Sequence, residues 1–546
     1  MTDAEKTLAQ TSGPEWTPPN ANRNAKIPLL PPGMIFGFCL VTILFPLWGF
    51  PNDITNPLVK AFGDIFLIST TQSSLVQTAF YGGYATMAIP AAIFIRRYSY
   101  KSGILVGLIL YALGAFLFIP ATYFENFWYF LLALYILTFG LAFLETTANP
   151  YILSMGDERT ATRRLNFAQA FNPMGSLLGM AVASLFVLAN LSVTEYRGER
   201  GDVYNCALNQ AAAYSETASE SQPAFLEKLN ADRQSAENTA AAQANRKPKT
   251  LVPVTAVDME KMIQVLADSH GDTWKQKEAM NELITEDLHG LQQTDPQRYE
   301  TTKTHDLQFV RFPYVTLGCV VLVIFLVFLV SKLPDTSGGD HQVRFFETFG
   351  RLVRNPSYLG GVVAQTFYVG AQIMCWTYII HYAMAYLGMD AATAQNWNIL
   401  AMVIFCSSRF ICTYMLKFIS PGRLLLLLAL GGVATTLGTI YLDGYAGLYC
   451  LVAISACMSL MFPTIYGIAL DGLGEDAKLG SAGLIFAIVG GALMPPLQGY
   501  LIDDWGVRLS FFLPLACFVV IAVYGLIAIA QRRRTIADAS CHHSTP

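Results

Sequence analysis

Stretches of roughly 20 or more mostly apolar residues, the length a helix needs to cross the hydrocarbon core of a bilayer, recur along almost the whole chain. They lie at about 34–61, 71–95, 102–121, 126–153, 162–190, 309–333, 357–387, 392–418, 422–442, 446–472, 478–501 and 507–531. Backbone placed in lipid must satisfy its own hydrogen bonds, so the twelve stretches read as twelve transmembrane helices, spans 1 to 12. Composition agrees: 53% of residues are hydrophobic and 14% charged, against about 25% charged in soluble domains.

The net charge of −4 carries little information, whereas its distribution carries much. With both termini in the cytoplasm, the short inward-facing segments hold Arg23, Lys26, Arg96, Arg97, Lys101, Arg159, Arg163, Arg164, Lys332, Arg344, Arg351, Arg354, Lys417, Arg423, Lys478 and Arg532 to Arg534. The short outward-facing segments hold only Lys60 and Arg508. That imbalance obeys the positive-inside rule, and a miscounted span would have scrambled it. The expected location is a plasma or bacterial inner membrane.

The polar stretches divide the chain into a disordered cytoplasmic tail (1–33), spans 1 to 5 (34–190), an extracytoplasmic insert (191–307), span 6 (308–333), a cytoplasmic linker (334–356), a C-terminal six-helix bundle (357–532) and a cytoplasmic tail (533–546). No apolar signal-peptide core precedes span 1. The first part of the insert is rich in Ala, Ser and Asn and reads as mobile. Its second part spaces Met262, Leu266, Leu283, Leu288 and Leu291 near helical periodicity, which predicts one or two amphipathic helices. Cys206 is the sole cysteine of the insert, so no disulfide forms within it. A faint internal echo joins the halves: Pro150 and Pro463 each precede a short acidic, Gly-containing loop and a Gly-rich span. Twelve spans, a polar central linker and this echo predict an all-α membrane protein of two six-helix halves, the major facilitator architecture, with a substrate site between them near the midplane.

Several side chains do not belong in lipid. Asp53 and Glu145 each sit alone as an acid within a strongly apolar stretch, and an ionisable group there is a functional candidate by default. Burial favours the neutral form of a carboxyl, so two such acids suit the carriage of a proton. Span 4 places Asn149 one turn beyond Glu145, and span 5 pairs Gln169 with Asn172. Span 7 aligns Gln365, Tyr368, Gln372 and Trp376 at spacings of 3, 4 and 4. Span 1 adds Trp48, Asn52 and Asn56, the last about sixty degrees around the helix from Asp53. Amides offer a donor and an acceptor to each hydroxyl, and aromatic faces stack on apolar C–H surfaces. The mixture suits a monosaccharide, although each amide alone also serves as an interhelical hydrogen bond. Arg409 reads either as a partner for a carbonyl or carboxylate or as a gate, and His381 as structural or as a substrate or gate residue. Arg96 and Arg97, in the loop after span 2, are either topogenic or part of a conformational clamp.

The strings SSLVQTAFYGGYATMAIPAAIF, LETTANPYI, RLNFAQAFNPMGSLLG, AQTFYVGAQIMCWTYIIHYA and FPTIYGIAL resemble the L-fucose:proton symporter family of the major facilitator superfamily, which includes glucose/galactose transporters. The likeness covers nearly all spans and leaves out the insert and tails. It implies that Glu145 is the proton-coupling glutamate of span 4 and that Gln169 and Asn172 contact the sugar. Span 1 departs from the family pattern: the coupling aspartate falls on Asn56, and Asp53 takes a position usually held by an amide. His381 is a second departure, at a position where relatives can carry Arg.

Together these features predict proton-coupled uptake of a fucose- or hexose-type sugar by a monomeric carrier in the bilayer, with no cofactor, metal or nucleic acid. A uniporter of the same fold would leave Asp53 and Glu145 as structural partners. A drug/proton antiporter is opposed by the Gln365 and Gln372 stripe, and a transporter-shaped sensor would place its function in the insert. No phosphate-cradling loop and no metal-ligand spacing supports an enzyme.

Overall fold

The structure is a computed structural model that describes residues 30–156, 164, 167–169, 171–270, 272–333, 345–416, 418–471, 473 and 477–542. Most of the expected N-terminal tail, the basic residues Arg159 and Arg163, the linker stretch 334–344 and residues 543–546 lie outside the described residues.

Every regular element among the described residues is a helix. Ten helical segments are long and apolar enough to cross a membrane: Ile35–Phe66, Thr70–Ile95, Tyr100–Phe124, Phe127–Ile152, Phe167–Asn190, Pro296–Val330, Pro421–Tyr441, Gly444–Leu470, Gly483–Trp505 and Val507–Gln531. Two more, Pro356–Leu387 and Ala391–Met415, have the length but are more polar. They are spans 7 and 8, and Gln365, Gln372, Asn396, Asn398 and Arg409 lower their hydropathy. Together the twelve make the two-halved architecture that the sequence predicts.

Prolines shape the spans, and the reason is local. A proline has no N–H, so it leaves the carbonyl four residues earlier without its helical donor. Pro51 frees the carbonyl of Leu47, and the Tyr111 hydroxyl of span 3 donates to it at 2.8 Å. Pro463 frees that of Ser459, where span 10 breaks between Met458 and Met461, and the Arg409 ε N–H of span 8 donates to it at 3.1 Å. Pro496 frees that of Ala492, which accepts from Thr78 of span 2 at 2.7 Å. Each break is thus repaired by a side chain from another span, as backbone away from water requires.

Glycines set the closest approaches. A Cβ on Gly175 would run into the backbone of Pro46, and one on Gly490 into the backbone of Thr366. Span 5 therefore packs backbone to backbone on span 1, and span 11 does the same on span 7, the corresponding pair of the other half.

The halves meet firmly at the ends that face the insert. Asp503 of span 11 accepts hydrogen bonds from the backbone N–H groups of Thr70 and Thr71 at 3.0 and 2.8 Å and from the Thr71 hydroxyl at 2.6 Å. Ser184 of span 5 donates to the Asn396 side chain of span 8 at 3.0 Å. On the opposite side, Lys101 caps the end of span 6 by donating to the carbonyls of Leu329 and Ser331.

The insert folds as four helices, Ser192–Glu216, Gln222–Gln243, Ala256–Ser269 and Thr273–Thr294. The stretch that composition marks as mobile is thus largely helical: alanine has the highest helix propensity, and Tyr214 stacks edge-on against Phe225 to join the first two helices. Val203, Tyr204, Met259, Met262 and Ile284 close a separate core. Span 6 begins inside the insert, because Pro296–Val330 is one helix of 35 residues. At 1.5 Å per residue that is about 52 Å, well beyond the roughly 30 Å hydrocarbon core.

Candidate functional site

Between the two halves lies a cavity of about 290 Å³. Span 1 enters it with Trp48, Asn52 and Asp53, span 4 with Glu145, span 5 with Gln169, Asn172 and Ser176, span 7 with Tyr368, Gln372 and Trp376, and span 8 with Arg409. The Gly175 contact presses span 5 onto span 1 and carries Asn172 and Ser176 to the wall beside Asp53. Asn172 donates to the Phe45 carbonyl at 3.3 Å and Ser176 to that of Gly49 at 3.2 Å.

The aromatic walls are pre-set. Trp48 packs on Phe45 with ring centroids 4.3 Å apart. The Trp376 indole N–H donates to Ser455 at 3.1 Å, and its ring meets Phe405 edge-on at 5.1 Å. The Tyr368 hydroxyl donates to the Met458 carbonyl at 3.0 Å. With the polar atoms of Trp376 and Tyr368 already engaged, these rings have apolar faces left to offer a ligand. The Arg409 guanidinium lies over the Phe405 ring, 4.8 Å from its centroid. Acids, amides and aromatic faces on one small surface provide two proton-accepting groups and a binding wall for a neutral, hydroxyl-rich molecule.

Of the expected site residues, Trp48, Asp53, Glu145, Gln169, Asn172, Tyr368, Gln372, Trp376 and Arg409 share this cavity. Of the rest, none whose side chain is described lines it. Asn149 reaches it only through Gln169, whose amide donates to it at 3.4 Å. Asn56 is fully buried one turn further along span 1, bonded to Asp53 at 3.3 Å. Gln365 is buried, and among the described residues neither end of its amide has a partner. His381 is buried against Tyr378, at a centroid distance of 5.2 Å, near the insert. Arg97 is exposed, and the Arg96 side chain lies outside the described residues.

Sequence reasoning passed over Tyr81 and Tyr84 of span 2, which also line the cavity. An aromatic residue in an apolar helix looks the same whether it faces a core or a void. Asn52, which the sequence also singles out in span 1, lines the cavity beside Asp53.

Twelve membrane-crossing helices in two halves around a central polar cavity define a secondary membrane carrier. The family model described as Major Facilitator Superfamily matches residues 34–197. An L-fucose-proton symporter of Haemophilus influenzae is 47% identical over 92% of this chain and 98% of the relative. The L-fucose-proton symporter of Escherichia coli is 29% identical over 90% and 92%, and a glucose/galactose transporter of Brucella abortus 28% identical over 90% and 94%. Among solved structures, that of FucP in the outward conformation covers 90% of this chain and 99% of its own at 29% identity, with a TM-score of 0.56. A D-xylose-proton symporter, 11% identical with a TM-score of 0.54 over 89% and 96%, shares the fold alone. The chain belongs to the L-fucose-proton symporter family of the major facilitator superfamily.

Proposed function

We propose that this protein is a proton-coupled symporter for a fucose- or hexose-type monosaccharide, working by alternating access. The observation that carries the reading is the convergence of Asp53 and Glu145 with Gln169, Asn172 and Gln372 on one cavity between the halves. In this reading Glu145 and Asp53 hold the proton. The amides of Gln169, Asn172 and Gln372 bind the sugar hydroxyls, and Trp48, Tyr368 and Trp376 stack on its C–H faces. Arg409 braces span 10 at the cavity edge through the Ser459 carbonyl. The carrier acts as a monomer, with both termini in the cytoplasm of a plasma or bacterial inner membrane and the insert outside, as the basic residues of the short loops support.

The driving force suffices. One charge crossing 100 mV is worth about 2.3 kcal/mol, enough for a roughly fiftyfold sugar gradient. Reconstituted into vesicles under a proton gradient, the wild type is expected to accumulate sugar and to show alkalinisation of the external medium on sugar addition. Glu145→Gln is expected to keep sugar exchange and lose accumulation. A Glu145→Gln protein that still concentrates sugar overturns the assignment of the proton to that residue, and a wild type that equilibrates sugar without moving protons is a uniporter.

A further inference from the structure

We propose that Asn56, Gln77 and Thr377 form a clasp across the two halves that reads the charge on Asp53 and biases the insert-side seal toward its closed state while Asp53 is ionised. They are positioning residues for coupling, and the inference rests on the proton-symport reading above. Asn56 and Gln77 belong to spans 1 and 2, Thr377 to span 7 of the other half, and all three are fully buried. The Asn56 amide oxygen accepts from the Gln77 amide at 3.0 Å and from the Thr377 hydroxyl at 3.0 Å. Gln77 also donates to the Thr377 hydroxyl at 3.1 Å, and its own oxygen accepts from Thr55 at 3.4 Å. On its other side the Asn56 N–H donates to the Asp53 carboxyl at 3.3 Å.

The link from charge to clasp follows from which groups donate. An ionised carboxylate only accepts, so it draws the Asn56 NH₂ toward itself and turns the Asn56 oxygen to the seam, where two donors wait. A protonated carboxyl carries a donor of its own and can bond the Asn56 oxygen. The amide turned over in that way sets its NH₂ against the Gln77 NH₂, donor facing donor, in a site with no exposure to water. The bond from Gln77 to Asn56 is then lost and the Thr377 hydroxyl loses its acceptor on the other half, which leaves the donation from Gln77 to Thr377 as what remains of the clasp.

Other groups near Asp53 are Ser176 on span 5, Tyr81 on span 2, Cys406 on span 8, and Glu145 of span 4 and Arg409 of span 8 across the same cavity. Among the described residues, Asn56 is the hydrogen-bond partner of Asp53 that also bonds a residue of the other half. The consequence for coupling is direct. A protonated carrier without sugar rests open toward the insert side, so a proton alone is not carried across. Sugar bound between the halves then supplies the differential affinity that closes them.

Double electron–electron resonance tests this in full-length protein without sugar, with spin labels on the exposed residues Gln72 and Asp504 of opposite halves in a cysteine-depleted background. Between pH 8 and pH 5, the wild type is expected to raise its long-distance population by roughly fivefold, the shift that one net hydrogen bond gives. Thr377→Val is expected to lose that response and Thr377→Ser to restore it, and Asp53→Asn to be insensitive to pH. Sugar binding by Thr377→Val checks that it is folded. A wild type with one distance at both pH values, or a Thr377→Val protein with the full acid response, overturns the clasp even if sugar still drives proton uptake. An acid response that depends on Thr377 in a wild type showing no sugar-driven proton movement leaves the clasp standing as a pH gate and overturns the symport reading instead.

Discussion

Pro51 shows how a single residue shapes the site from a distance. It stands two positions before Asp53 and removes the backbone donor owed to Leu47, and the Tyr111 hydroxyl of span 3 supplies the replacement at 2.8 Å. Both the tyrosine and the carbonyl are buried, so a lost partner leaves an unsatisfied polar group where water does not reach. Tyr111→Phe is therefore expected to destabilise the protein by about 1–3 kcal/mol, seen as a lower melting temperature in detergent, with sugar binding weakened because span 1 is no longer pinned. A melting curve that overlays the wild type would show that the hydroxyl plays no part in holding the bend. Side chains that do not suit lipid were the readable part of the site: both acids, Gln169, Asn172 and Gln372 stood out and all reach the cavity. Their facing was not readable throughout. Asn56 and Gln365 lie on the same apolar helices as true cavity residues, and Pro51 and Pro57 interrupt the hydrogen-bond ladder of span 1, where ideal helical spacing no longer fixes the face a residue presents.

At the scale of elements, length and apolarity sufficed to locate the spans, because a hydrocarbon slab of fixed thickness leaves few other solutions. They failed where sequence and burial part company. Span 6 runs on into the insert, since nothing at the membrane surface obliges a helix to stop there, and the Ala-rich stretch forms the helix Gln222–Gln243, which Phe225, Leu226 and Leu229 at its start anchor to the insert's core. The insert is held by a charged cluster as well as its apolar core. Asp287 binds Arg200 at 2.6 Å, Lys261 at 2.9 Å and the Tyr204 hydroxyl at 2.6 Å. Partial burial works against its charge, but the hydrogen bonds from Tyr204 and Lys261 and the Arg200 guanidinium outweigh it and hold the carboxyl below its ordinary value. A carboxyl depressed in the folded state contributes stability that is fully present above its unfolded value of about 3.9 and is lost as pH falls through the folded value. Proteolysis of the intact protein is thus expected to spare residues 192–294 at neutral pH and to cut them faster near pH 3, while Asp287→Asn shows raised cutting at neutral pH and a smaller change on acidification. Equal acid sensitivity in both proteins would remove Asp287 from the account.

At the scale of the whole molecule, a carrier of this kind needs two states of similar free energy, so the contacts between its halves must be specific but few. The seal on the insert side meets that description. Asp503 stands at the end of span 11 and, from the other half, accepts both N–H groups at the start of the helix Thr70–Ser73 together with the Thr71 hydroxyl. A carboxylate there satisfies backbone donors that a helix start leaves unpaired and favours the positive end of the helix dipole, which makes it a latch of modest strength in an exposed position. The insert adds a second connection: Arg197 pairs with Asp64 of span 1 at 3.6 Å and Tyr299 bonds the Ile65 carbonyl at 3.2 Å, while the helix Thr273–Thr294 packs on span 7 of the other half, where Glu278 meets Tyr386. The ties to span 1 steady the insert on the N-terminal half, and its contact with span 7 belongs to the seal. Removing the latch should then shift the balance of states without unfolding either half. Asp503→Ala is expected to raise labelling of a cysteine at Leu75, on span 2 just past the helix Thr70–Ser73, by a membrane-impermeant maleimide from the insert side by roughly fivefold, about one hydrogen bond of bias. Sugar exchange across the membrane should persist, since no cavity residue changes. Unchanged labelling alongside normal exchange would mean that the buried contacts between spans, rather than this exposed carboxylate, decide when the insert side opens.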